Sequence, residues 1–186
     1  MFASEAKTPY EFVPILDMRE LEPAIYGGHP ALKLPVLQIA DQPLFGSENI
    51  CRWFMAHARQ PLTVLWGEDL SEPDYANAQE LVWQCMSAQV QIIMTTRLFG
   101  QPVDQPFVEK LQRGMEGALG WLDDRIDGLL QRMPSHDISL LEYSLFCMFD
   151  HIRFRPTIEV GFYTRIRHFA DRVRTYPSAM ATEFGA

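Results

Sequence analysis

The spacing of apolar positions divides the chain into two stretches of different character. From residue 75 onward the period is helical. Leu81, Val82, Cys85, Met86 and Val90 mark one segment over residues 75–98, and Leu111, Met115, Leu119, Leu122, Ile126 and Leu129 mark a second over 107–130. Residues 139–154 are almost wholly apolar, which predicts a helix buried on all sides rather than a surface one. A shorter amphipathic helix is expected over 157–174, stopped by Pro177, with one more turn in 178–184.

Before residue 60 the segments are short and punctuated by proline and glycine. Residues 10–16 (YEFVPIL) are rich in strand formers, and Pro14 places them at a sheet edge or a strand end. Residues 20–25 have broken helix character and lead into a turn at Gly27 and Gly28, followed by Pro30. Residues 34–39 (LPVLQI) read as a strand, with a short partner over 43–45 across a tight turn at Asp41 and Gln42. From residue 47 a helix places Ile50, Trp53 and Phe54 on one face, with Ser47 as its N-cap. Residues 61–72 are aperiodic, carry Pro61 and Gly67, and read as a linker. The expected organisation is α+β: a small α/β domain over 1–60, the linker, and an all-helical domain of about four or five helices over 73–186.

Composition narrows the chemistry. Hydrophobic residues make up 47% of the 186 positions and charged residues 22%, enough apolar material for a packed core. A net charge of −8 argues against nucleic-acid binding, which needs a basic face to neutralise phosphates. The cluster Arg165, Arg167, Arg172 and Arg174 reads as a solvated helix face. The three cysteines, Cys51, Cys85 and Cys147, form no CxxC pair, and the five histidines show no HxxxH or HExxH spacing, so no metal is expected. Free thiols inside apolar runs behave as small hydrophobes and suit a reducing, cytoplasmic location. No apolar run reaches about 18 residues and the first residues lack an apolar signal core, so no membrane partner is expected.

Motifs in order along the chain carry a family resemblance. KLPVL, beginning at Lys33, puts Pro35 in an otherwise good strand, where it removes a ladder donor. PLFGSENI, beginning at Pro43, offers a serine and free backbone amides at a helix N-terminus, which is an anion site. ISLLEYSLF, beginning at Ile138, contains Ser139 and Glu142 at capping-box spacing, opening the nearly all-apolar helix. Together, from about Phe2 to Glu183, the chain resembles the cytosolic glutathione transferases, which join a thioredoxin-like domain to an all-helical one.

The resemblance implies a cis peptide before Pro35 and a glutathione site at Lys33, Leu34, Pro35, Gly46 and Ser47. In it Ser47 and the helix amides hold the γ-glutamyl carboxylate, and the Leu34 backbone meets the cysteinyl part. Lys33 meets the glycine carboxylate. Gly46 stands where the family usually has Glu or Gln, which removes one contact to the γ-glutamyl amino group. The helix over 75–98 would line a hydrophobic co-substrate pocket with Trp83, Met94 and Phe99, and a two-fold homodimer is expected.

The resemblance also implies that this sequence lacks the family's first strand and the catalytic residue near its end, either because the start is lost or as a natural short variant. Ser4, Tyr10 and Cys51 match no catalytic motif of the family, so the catalytic residue stays unassigned. Two functions follow. One is glutathione conjugation or thiol chemistry, with glutathione as substrate and no metal. The other is a non-catalytic binding or assembly module of the same fold. An unrelated α+β protein would instead carry a trans peptide at Pro35.

Overall fold

The computed structural model describes residues 1–182, so the expected turn over 178–184 lies partly outside the described residues. The chain divides into two compact units, Met1–Leu62 and Thr63–Ala186.

The first unit is built on a hairpin. β1 (Val36–Ile39) pairs antiparallel with β2 (Gln42–Phe45) in the register Val36↔Phe45 to Ile39↔Gln42. α1 (Phe2–Ala6) packs on α2 (Ser47–Ala56), which in turn packs on the hairpin. Phe2, Ala6 and Phe54 form the buried seam. Leu34 and Pro35 lie outside β1, because proline offers no N–H to the ladder.

Residues 10–16 differ from the expectation: they form no strand. A strand needs a ladder partner, and among the described residues the sheet containing β1 and β2 has only those strands. Phe12 and Val13 are consequently exposed, and Leu16 is 95% exposed. The broken helix over 20–25 is instead a 3₁₀ turn at Pro23–Tyr26.

The second unit is helical. α3 (Pro73–Ile93) packs against α4 (Pro106–Arg132) and α5 (Leu140–Phe154), and α6 (Thr164–Val173) packs against α4 and α5. The stripe Met115, Leu119, Leu122, Ile126 and Leu129 is buried on α4. Each such side chain contributes about 1.5–3 kcal/mol of transfer free energy. α5 is buried as its composition demands, with Leu141, Leu145, Met148, Phe149 and Ile152 enclosed. α7 (Pro177–Met180) follows α6, with Pro177 at its first position. A parallel bridge between β3 (Val64–Leu65) and β4 (Ile138–Ser139) was invisible to the pattern, because each strand is too short to alternate.

Other local expectations are corrected. The helix expected from residue 157 starts at Thr164: Pro156 and Gly161 interrupt the chain before it, and Asp123 of α4 accepts the Ile166 N–H at 2.9 Å. The capping box is half formed. Ser139 Oγ accepts the Glu142 N–H at 3.4 Å, but the Glu142 carboxylate turns away to His136. α3 ends in a π-helical turn over Met94–Leu98, closed by Phe99 N–H donating to the Met94 carbonyl at 2.9 Å.

Two arginines of the basic cluster at α6 face carboxylates. Arg165 lies against Asp123, Asp124 and Asp127, and Arg174 pairs with Asp150 and Asp171. No described helix is long and apolar enough to cross a membrane.

Candidate functional site

The hairpin register brings the first unit's motifs to one end. The last ladder pair is Val36↔Phe45, so the segments that leave that end of the hairpin are Leu34–Pro35 on one strand and Gly46–Ser47 on the other. The Leu34–Pro35 peptide is cis, as the resemblance implies. The backbone of Leu34 lies beyond the ladder, and its side chain is largely exposed.

Across from it, α2 begins. Gly46 adopts φ 88, ψ 138, a region open to glycine and costly for other residues. Gly46 is the N-cap, so Ser47 is the first helical residue rather than the cap, and its side chain is exposed. The first intrahelical bond is Ile50 N–H to the Gly46 carbonyl at 3.0 Å. The amides of Ser47, Glu48 and Asn49 therefore point out of the helix end without an intrahelical acceptor. Asn49 braces the turn, its Nδ2 donating to the Phe45 carbonyl at 2.9 Å.

The electrostatics favour an anion there. Glu48, in the first turn, would compete with one, but Arg52 binds it from the next turn: Nη2 to Oε1 is 2.7 Å and Nε to Oε1 is 2.9 Å. With that pair balanced, the partial positive charge of the helix end remains; Lys33 is exposed on the segment just before the cis peptide.

The segment carrying Lys33 is positioned by residues that sequence reasoning missed. Tyr26 is 2% exposed, and its hydroxyl lies 3.0 Å from the carbonyl oxygens of both Met18 and Glu20. Gly27 has φ +60, and a Cβ there would sit 3.1 Å from Val36 Cγ1, so the chain passes close over β1 only as glycine. His29 rests on the Phe45 ring at 4.3 Å, and its Nδ1 accepts the Ala31 N–H at 3.0 Å. A buried tyrosine just ahead of two glycines was the available signal: a large side chain next to a tight turn is an anchor.

The candidate nucleophiles sit on different elements. Ser4 belongs to α1, where its carbonyl accepts the Lys7 N–H at 3.2 Å. Tyr10 meets the edge of Phe54 at 5.8 Å. Cys51 is half-buried on α2. In the second unit Cys85 is fully buried, and burial pushes its thiol up to about 12. Trp83 and Phe99 are part-exposed on that unit, and Met94 opens the π turn. Among the described residues no group of His, Cys, Asp and Glu is arranged to hold a metal.

Solved structures share this architecture. A glutathione S-transferase from Methylobacillus flagellatus KT, with glutathione bound, matches at TM-score 0.71 and 19% identity, over 98% of this chain and 90% of its own. A maleylacetoacetate isomerase from Methylobacterium extorquens AM1, with malonate and glutathione bound, matches at 0.63 and 17%, over 97% and 89%. A glutathione S-transferase from Methylobacterium radiotolerans JCM 2831, in complex with glutathione sulfonate, matches at 0.61 and 19%, over 85% and 76%. No protein-family model matches the sequence, and no curated protein matches it. The chain has the glutathione S-transferase fold: a thioredoxin-like α/β unit followed by an all-helical one.

Proposed function

We propose that this chain binds glutathione at the open end of the β1–β2 hairpin and acts as a glutathione transferase-like protein. The observation that carries the reading is the register. It brings the segment carrying Lys33 and Leu34 and the start of α2, with Gly46 and Ser47, to the same end of the hairpin, where the first intrahelical bond begins only at Ile50. Those groups match the three parts of the tripeptide. The γ-glutamyl carboxylate takes the Ser47 hydroxyl and the helix-end amides. The cysteinyl N–H and C=O pair with Leu34 as another strand would. The glycine carboxylate meets Lys33. Pro35 holds this backbone clear of the ladder, and Gly46 leaves room at the helix end.

In such a protein the glutathione thiolate is the reacting species, attacking an electrophile or exchanging with a disulfide, and an adjacent donor stabilises it. A hydrophobic co-substrate, a homodimer and a cytoplasmic location complete the reading. It is supported by fold neighbours bound to glutathione or its sulfonate.

A second reading is a non-catalytic binding or assembly module. Gly46, which brings no acidic or amide side chain to the site, and the exposed Phe12, Val13, Leu16 and Leu21 favour it.

Calorimetric titration of glutathione into the chain, beside a Ser47→Ala, Lys33→Ala variant, discriminates the two readings. Each charge-assisted bond is worth about 1.5–3 kcal/mol, so the variant should lose on the order of 10²-fold or more in affinity. No heat at millimolar glutathione would remove the enzyme reading for this chain. Turnover of an aryl halide with glutathione then separates transferase from module.

A further inference from the structure

The segment between α4 and α5 holds a histidine in contact with two oxygen acceptors. His136 Nδ1 lies 2.7 Å from the Pro134 carbonyl oxygen, and Nε2 lies 2.7 Å from Glu142 Oε2. A neutral imidazole has one N–H and one lone pair, so one of these contacts would face a lone pair against an oxygen. The imidazolium, with an N–H on each nitrogen, satisfies a carbonyl and a carboxylate together. The two side chains are only 17% and 19% exposed, so water screens the pair weakly.

The neighbours of His136 do structural work. Asp137 N–H donates to the Thr63 carbonyl at 2.9 Å, and Asp137 Oδ2 accepts the Thr63 N–H at 2.8 Å. Ile138 N–H reaches the same Thr63 carbonyl at 3.2 Å, and Ser139 caps α5. The residues that follow His136 therefore carry β4 onto β3 and start the interior helix.

We propose that His136 and Glu142 form a proton-dependent clasp that fastens residues 134–139 to the first turn of α5 and keeps β4 on β3. The proposal is independent of the glutathione reading, because every group in it belongs to the second unit. The charged groups acting on the ring are the carboxylates of Glu142, from α5, and Asp137, from the ring's own segment. Burial alone would lower the ring's pKa. The hydrogen bonds to Pro134 and Glu142, with the charges of Glu142 and Asp137, outweigh it and hold the ring above its ordinary value. A raised folded pKa fixes the sign. The clasp contributes fully below the free-histidine value of about 6.5 and is lost as pH rises through the folded value.

A proton NMR titration of the histidines in the whole chain tests this without any mutation. His136 should titrate above a free histidine, and isosteric Glu142→Gln should move it down. Hydrogen exchange at Thr63 and Ile138, corrected for intrinsic rates, provides the structural readout. Protection should fall as pH rises through the His136 value, about tenfold for each unit of elevation, and should lose that step in His136→Gln. Titration at or below the free-histidine value, or protection indifferent to the ionisation of His136, would overturn the clasp.

Discussion

α4 contains Gly114, Gly117 and Gly120, and a Cβ built at any of them meets nothing within 4 Å. Gly114 and Gly117 are exposed and Gly120 is half-buried. Glycine inside a helix costs about 0.5–1 kcal/mol relative to alanine, because the unfolded chain has more freedom to lose. The triple substitution to alanine adds no clash and removes that cost at each position. It should stabilise the second unit by about 1.5–3 kcal/mol, and raise the thermal midpoint by about 3–12 °C for a chain of this size. Far-UV circular dichroism during heating and urea titration reads the shift, with elution volume checked to exclude a change of assembly. Gly27→Ala is the internal contrast. It needs φ +60 and puts a Cβ 3.1 Å from Val36 Cγ1, so it should destabilise by about 1–2 kcal/mol or more. A triple variant with an unchanged or lowered midpoint would refute the reasoning, since nothing in the described surroundings opposes the added methyls.

Asp123→Ala should cost about 1–3 kcal/mol in urea unfolding, because the buried Ile166 N–H at the start of α6 loses its acceptor. Leu122→Ala should cost about 2–5 kcal/mol, since Leu122 is fully enclosed in the α4 stripe. Cys85, with its thiol pushed up to about 12 by burial, should resist an aromatic disulfide reagent at pH 8 and react only in denaturant. Rapid labelling of native Cys85 would contradict its placement.

The long helices and the β1–β2 hairpin were legible in the sequence, and other short elements were not. α4 and α5 follow from their apolar spacing, because a helix several turns long repeats its pattern often enough to be read. The β1–β2 hairpin followed from LPVLQI and the turn after it. Residues 10–16 misled because β-forming side chains describe a preference for a pleated surface, and no partner strand is there to provide one. The start of α6 was misplaced because the Ile166 amide in its first turn is satisfied by Asp123, a residue 43 positions earlier in sequence. The half-formed capping box shows the same limit: Glu142 had the right spacing, but its carboxylate pairs with the His136 ring instead. At the candidate site, Lys33, Leu34, Pro35, Gly46 and Ser47 were legible as motif residues. The positive φ of Gly46, which makes it the cap in place of Ser47, and the supports from His29 and Arg52 come only from folding.

The most direct test of the central claim is an amide ¹H–¹⁵N titration of the labelled chain with glutathione. The account predicts saturable shifts concentrated at Lys33, Leu34 and Gly46 to Asn49, with the α4 and α5 amides unmoved. Shifts absent at millimolar glutathione, or centred anywhere other than the hairpin end and the first turn of α2, would contradict it.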